Sequence, residues 1–332
     1  MRALVLERPG PLAAGEPLQL REVPDPRPGP GELLLRVGAC AVCRTDLQLV
    51  EGDLAARRLP TIPGHQVVGR VEALGAGVDG WRVGERAGVG WLAGTCGICR
   101  TCRTGRENLC AAARFTGWDR DGGFAERLVV AADVALRLPD GFDDLAAAPL
   151  LCGGVIGYRA LVLSGIRPGG RLGLYGFGAS ALLALQVARH WGCEVHVATR
   201  SGREQARALE TGATSVGGYD DPPPAPLDAA VTFAPAGSVV VAALRALDRG
   251  GTVAINAIHL DGIPAFPYAD LWWERSLRSV ANVTREDARA FLELAASIPV
   301  RTRVEALPLA AGADALRRLA AGSLEGTAVL VP

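Results

Sequence analysis

No lysine occurs anywhere in the 332 residues; all 35 positions counted as Lys+Arg are arginine. A GC-rich genome produces that bias as readily as adaptation to heat does, so it supports no argument about stability. Net charge is also missing. The 35 acidic side chains balance the 35 basic ones, which leaves no electrostatic preference for nucleic acid or an anionic membrane and favours small neutral ligands. No uninterrupted run of about 18 apolar residues appears, and the amino-terminal MRALVLERPGP has no secretion-signal core. The expectation is a cytoplasmic protein that does not enter a membrane. In that reducing compartment the eight cysteines are not expected to build a disulfide framework, which leaves metal binding, catalysis or burial.

What is present describes an α/β protein. The chain is too long for one ordinary core, and 49% apolar residues, 21% charged residues and 42 glycines exclude a disordered or fibrous chain. Residues 1–149 read as short strands, among them LLLRVGAC and HQVVGRVEAL, separated by Pro and Gly. From about residue 150 strand and helix alternate, as in GRLGLYGFGASALLALQVARHWG and EVHVATRSGREQARALETGA, which implies a parallel sheet covered on both faces. The run Asp220 to Pro226 interrupts the alternation as an exposed loop. After about residue 283, Thr284 and Asp287 form a helix start, with aspartate where a capping box prefers Glu or Gln. The tail 284–332 is expected to return to the first domain, giving domains of 1–149 with 284–332, and 150–283.

Four cysteines stand close together in TCGICRTCRTGRENLC: Cys96, Cys99, Cys102 and Cys110. Four thiolates at this density can close a tetrahedral zinc site, and a site with no open position is structural. Iron–sulfur spacings differ, and no proline follows the last cysteine. A polar loop with no core of its own needs such a staple.

A second constellation begins in GACAVCRTD. Cys43 is a candidate thiolate ligand, Arg44 a phosphate-binding cation, Thr45 a proton-passing hydroxyl and Asp46 a carboxylate that can orient another ligand. His65 follows a Pro-Gly turn at the head of a strand, and Cys152 lies at the joint between the two grammars. Two thiolates and one imidazole would leave a fourth position open, as a catalytic zinc requires. Gly176, Gly178 and Ala181 make a GxGxxA turn between strand and helix, where backbone approaches a pyrophosphate at a helix N-terminus.

CRTD, GHxxxGxV, the four-cysteine lobe, the cysteine at the joint and the glycine turn, in this order over nearly the whole length, resemble the zinc-dependent medium-chain alcohol dehydrogenases. The resemblance implies a GroES-like β-rich catalytic domain, a Rossmann doubly wound parallel-sheet domain, and hydride transfer between an alcohol and a nicotinamide cofactor at a zinc. It makes Cys43, His65 and Cys152 ligands of a catalytic zinc and the lobe the site of a second, two per chain. Thr45 becomes the proton relay, Asp46 the partner of His65, and Arg44 a pyrophosphate contact. Two positions depart from the family pattern: Gln66 replaces a Glu after the ligand histidine, and Gln48 replaces a histidine that ends the proton path. Trp91 and Trp118 are candidate walls of the substrate slot.

For the coenzyme, the second strand ends on Thr199, Arg200 and Arg203, with no carboxylate expected at the strand end. Either guanidinium could hold a 2′-phosphate, so NADP(H) is expected to be preferred, with NAD(H) possible. The expected substrate is a small alcohol, aldehyde or ketone. A polyol or sugar dehydrogenase on the same scaffold is the enzymatic alternative, and a non-catalytic nucleotide-binding relative the other. A homo-oligomer, dimer or tetramer, is expected, with Trp272 and Trp273 in core or subunit packing.

Overall fold

The computed structural model describes residues 1–332 and resolves into two compact units. The first comprises Met1–Cys152, Asn282–Ser297 and Arg301–Pro332; the second comprises Gly153–Ala281 with Ile298–Val300.

The first unit is built on a seven-stranded mixed sheet whose centre is the ten-residue strand Glu32–Ala41. Leu33, Leu35 and Val37 alternate inward and are almost fully buried, the period-2 pattern of a strand packed on one face. Val67–Leu74 and Arg127–Ala131 flank it antiparallel. A register shift between Val37 and Ala39 bends the strand. Beyond it, Ala41 and Cys40 pair with Val329 and Leu330 of the last strand, Thr327–Val331. Val42 N–H then donates to Ala328 O at 2.8 Å. The carboxy-terminal strand therefore fixes the backbone immediately before Cys43.

The second unit is a six-stranded, wholly parallel sheet. Its order is Ser215–Gly217, Glu194–Ala198, Arg171–Tyr175, Leu227–Thr232, Leu247–Ile255 and Ser276–Ser279. The first strand in sequence lies inside the sheet and the chain winds outward both ways, the doubly wound arrangement of a Rossmann domain. Strand interiors such as Leu172, Leu174, Val195, Val197, Ala229 and Val231 are fully buried, as expected of a sheet covered on both faces. Residues Asp220 to Pro226 carry no strand and are mostly exposed.

Two local expectations are sharpened. The helix Arg285–Ser297 does start with a capping box: Thr284 N–H donates to Asp287 Oδ2 at 2.8 Å, and Asp287 N–H to Thr284 Oγ1 at 3.0 Å. The helical stretch Asp144–Ser164 is long and apolar enough, by length and composition, to cross a membrane, although no uninterrupted apolar run was seen in the sequence. Its most apolar window is 61% buried within the protein, the signature of a core helix.

Candidate active site and metal centres

Cys43 is the N-cap of the helix Arg44–Glu51, and the cap explains the site's architecture. Asp46, third residue of the helix, turns its carboxylate back, and Oδ2 accepts the Cys43 N–H at 2.8 Å. This completes a capping box in which a thiol replaces the usual hydroxyl. The other oxygen, Oδ1, accepts the Gly64 N–H at 3.2 Å and lies 3.0 Å from His65 Nδ1. Asp46 and His65 are both almost wholly buried. One carboxylate thus holds the helix start, the Pro-Gly turn and the imidazole. Gly64 is at φ +96°, and a Cβ there would come within 2.5 Å of the Phe124 ring and 2.9 Å of Cys40 Sγ, so the turn before His65 demands glycine.

With Nδ1 donating to Asp46, Nε2 is the ring atom left to face a metal. Cys152 follows the short turn Ala148–Leu151, and its sulfur, Cys43 Sγ and a His65 ring nitrogen all lie within 4.8 Å of one another. The Cys152 thiol donates to Cys43 and, with His65, holds Cys43 well below the usual thiol range in spite of burial. Giving that hydrogen bond, together with burial, pushes Cys152 well up. Burial works against a charge on His65, but the Asp46 carboxylate and Cys43 outweigh it and raise the ring to about 10. Tetrahedral zinc separates such ligand atoms by about 3.5 to 3.8 Å. Two half-buried cysteine sulfurs and a buried, oriented imidazole in this volume fit it, with one position open.

The four-cysteine lobe fits more tightly. Cys96 and Cys102 sulfurs are 3.9 Å apart, Cys99 and Cys102 3.4 Å, and Cys110 and Cys96 3.5 Å, close to the edge of about 3.8 Å of a tetrahedral four-thiolate zinc. The four ligand atoms lie within 4.8 Å of one another. Glu107, unmarked in the sequence reading, is buried inside the lobe and accepts the Arg285 N–H at 2.9 Å, tying the lobe to the start of Arg285–Ser297. Only the fold brings residues 107 and 285 together.

Thr45 Oγ1 stands 3.8 Å from Cys43 Sγ. Gln48 lies one turn on, its Oε1 buried and without a hydrogen-bond partner in the chain. Gln66 is buried and donates to Ala41 O at 3.3 Å. Trp91 meets His65 edge to face, with ring centroids 4.8 Å apart, and stacks on Phe115 at 5.2 Å and Trp118 at 5.8 Å. Trp91 and Trp118 therefore belong to one aromatic cluster that reaches His65.

In the second unit, Gly176 is at φ +92°, and a Cβ there would meet Ala234 N at 2.9 Å. Gly178 caps the helix Ala179–His190 and has open space where a Cβ would project; Ala181 is fully buried. The first turn of that helix carries no acid, which leaves its N-terminus favourable to a phosphate. Arg44 is exposed on the first unit. Thr199 is buried just past Glu194–Ala198, and Arg200 and Arg203 are exposed. Contrary to expectation, a carboxylate does stand at the end of this strand. Glu204, third residue of the helix Gly202–Thr211, folds back so that its Oε2 accepts from Thr199 Oγ1, placing a carboxylate at the strand end. Five residues separate the two in sequence, and only the turn of the helix start joins them.

Residues 29–140 match the model of the alcohol dehydrogenase GroES-like domain. Over 337 aligned residues the chain is 50% identical to the protein named "Probable alcohol dehydrogenase AdhA" of Mycobacterium tuberculosis (strain CDC 1551 / Oshkosh), covering 100% of this chain and 97% of that one. The chain belongs to the zinc-dependent medium-chain alcohol dehydrogenase family. Among solved structures, a cobalt- and zinc-bound thermostable alcohol dehydrogenase from Pyrobaculum aerophilum superposes with a TM-score of 0.90 at 29% identity, covering 100% and 99% of the two chains. A protein from Sinorhizobium meliloti 1021 bound to NADP, named a "putative zinc-binding dehydrogenase", gives 0.86 at 27% identity, again over 100% and 99%. This alcohol dehydrogenase family member is an enzyme that moves a hydride between an alcohol and a nicotinamide cofactor.

Proposed function

We propose that the chain oxidises small apolar alcohols and reduces the matching carbonyls at a zinc held by Cys43, His65 and Cys152, with a second, structural zinc at Cys96, Cys99, Cys102 and Cys110. The convergence of three distant ligand atoms within 4.8 Å, around a histidine oriented by a buried carboxylate, carries the reading. When bound at the first site, zinc supplies Lewis acidity that polarises the substrate C–O bond. Cys43 contributes a thiolate, Asp46 keeps Nε2 of His65 facing inward, and Trp91 shields the imidazole from water. Thr45 Oγ1, beside Cys43, accepts the substrate proton and passes on its own. Gln48 Oε1 offers a buried acceptor to a ribose hydroxyl or a water, but an amide has no protonation state near neutrality, so water carries the proton out. The apolar wall of Trp91, Phe115 and Trp118 favours alcohols over the polyols of the alternative reading. A screen of alcohols, polyols and aldehydes, followed by nicotinamide absorbance, tests this: turnover of simple alcohols that Cys43→Ala abolishes supports it, and a preference for polyols overturns it.

NADP(H) remains the coenzyme we propose as preferred, with NAD(H) used less well, because two exposed arginines, Arg200 and Arg203, follow Thr199 at the strand end. Glu204 works against that preference by like-charge repulsion of a 2′-phosphate. Glu204→Gln should raise the kcat/KM ratio of NADP over NAD by about fivefold; a higher value for NAD in the original protein refutes the preference itself.

We also propose a homodimer and a cytoplasmic location. The strand Ser276–Ser279 ends the parallel sheet with one edge unpaired and is mostly exposed, beside Tyr268, Trp272 and Trp273 at 67%, 56% and 46% exposure. The two tryptophans thus lie outside the core, and a second copy pairing edge to edge would cover them. None of the eight cysteines is paired in a disulfide, the state a reducing cytosol maintains.

A further inference from the structure

We infer that Arg57 is a specificity-determining positioning residue, and that the wall it fixes selects planar aromatic primary alcohols over saturated rings of the same size. The inference rests on the reading of Trp91 and Trp118 as substrate walls.

Trp118 sits on a loop, where an indole would otherwise change rotamer freely. Three contacts prevent it. Its Nε1–H donates to Ala55 O at 2.8 Å. Its ring stacks on that of Trp91, with centroids 5.8 Å apart at 20°. The guanidinium carbon of Arg57 lies 3.7 Å from the Trp118 ring centroid and 5.6 Å from that of Phe115. Arg57 is itself held, because Nη1 donates to both carboxylate oxygens of Asp119 at 3.1 and 3.2 Å. Asp119 Oδ2 in turn accepts the Phe115 N–H at 2.9 Å, so acid, cation and both rings form one assembly. A second pair, Arg58 with Asp121 at 2.9 Å, laces the same two loops together.

The consequence is a fixed stack of rings that turn their faces to one another and leave their edges outward. Phe115, Trp91 and Trp118 lie within 20° to 30° of parallel, and the stack ends edge to face on His65. A planar aromatic ring laid across those edges meets their positive rim with its negative π-face, an edge-to-face contact that a saturated ring of the same size has no π-face to make. Freed from Arg57, Trp118 samples other rotamers and the distinction weakens. The Arg57 side chain is 45% exposed and that of Asp119 17%, so dissolved salt screens the pair.

The test compares kcat/KM for benzyl alcohol with that for cyclohexylmethanol, using zinc-loaded enzyme at saturating coenzyme. The original protein should favour benzyl alcohol. Arg57→Ala should lower the ratio about two- to fivefold, chiefly through KM for benzyl alcohol, and Arg57→Lys should restore part of it. Raising the salt to about 1 M should shift the original protein in the same direction and leave Arg57→Ala unmoved. An unchanged ratio in Arg57→Ala alongside a lowered one in Trp118→Ala overturns the inference while the wall stands. An unchanged ratio in both variants overturns the wall reading as well, and an original protein that favours cyclohexylmethanol contradicts the substrate class.

Discussion

The two cysteine sites use the same ligand chemistry and are assembled in opposite ways. The four sulfurs of the lobe come from fifteen consecutive residues, Cys96 to Cys110, three of them exposed or partly buried and only Cys110 buried, with only a four-residue helix, Arg100–Arg103, and a short turn between them. Its geometry is local, and in the proposed reading a metal there would substitute for a core. The other site draws Cys43, His65 and Cys152 from three segments, each set by an ordered element: a helix cap, a glycine turn at a strand head and the end of a 3₁₀ turn. There the fold exists first and the ligands are its product. Losing the lobe's metal should therefore cost structure, whereas losing the other should cost chemistry.

The widest expected separation lies in turnover. Cys43→Ala should remove essentially all activity while the apparent Tm moves by only a few degrees. Cys99→Ala should lower Tm by roughly 10 °C or more, since a structural zinc contributes several kcal/mol to folding. Equal losses of Tm in the two variants would erase the distinction.

A second test bears on Asp46, which serves the cap and the imidazole together. Asp46→Asn keeps the shape, loses the charge and can present an N–H where an acceptor is needed. Metal affinity at the Cys43 site, or activity, should fall about 10- to 100-fold, with the lobe's metal retained. Loss of both metals would mean that the substitution unfolds the unit.

How much of this was legible in the sequence follows from the same contrast. The lobe could be read from spacing alone because it is local. The glycine turn was legible because strand, φ-positive glycine and helix follow one another within a few residues. Cys43, His65 and Cys152 needed the family resemblance, since nothing in spacing says that positions 43, 65 and 152 meet. Glu107, Arg57 and Glu204 were not legible. Each acts through one side-chain contact, to Arg285, Trp118 and Thr199, and such contacts leave no periodic trace. The helix Arg44–Glu51 escaped notice in a region read as strands because it is only eight residues long.

A smaller effect concerns protons. Before metal binds, the Asp46 carboxylate and Cys43 outweigh burial and raise His65 to about 10, the contact with Cys43 and burial push Cys152 up, and Cys152 with His65 holds Cys43 down. A ligand must be deprotonated, so zinc entering this site at pH 8 should release about two protons, one each from His65 and Cys152. The sign follows: affinity at the Cys43 site rises with pH up to the His65 value and falls as acid restores those protons. The release is the difference between metal-free original protein and metal-free Cys43→Ala on zinc addition, read with a pH indicator. No difference between them would contradict the charge assignment.

The division of labour between the two sites is tested most directly by counting metal in the purified protein and in Cys43→Ala, with folding monitored in parallel. The account predicts about two zinc ions per chain in the first and about one in the second, with the fold intact. The same zinc content in both proteins, with activity retained in Cys43→Ala, would contradict it.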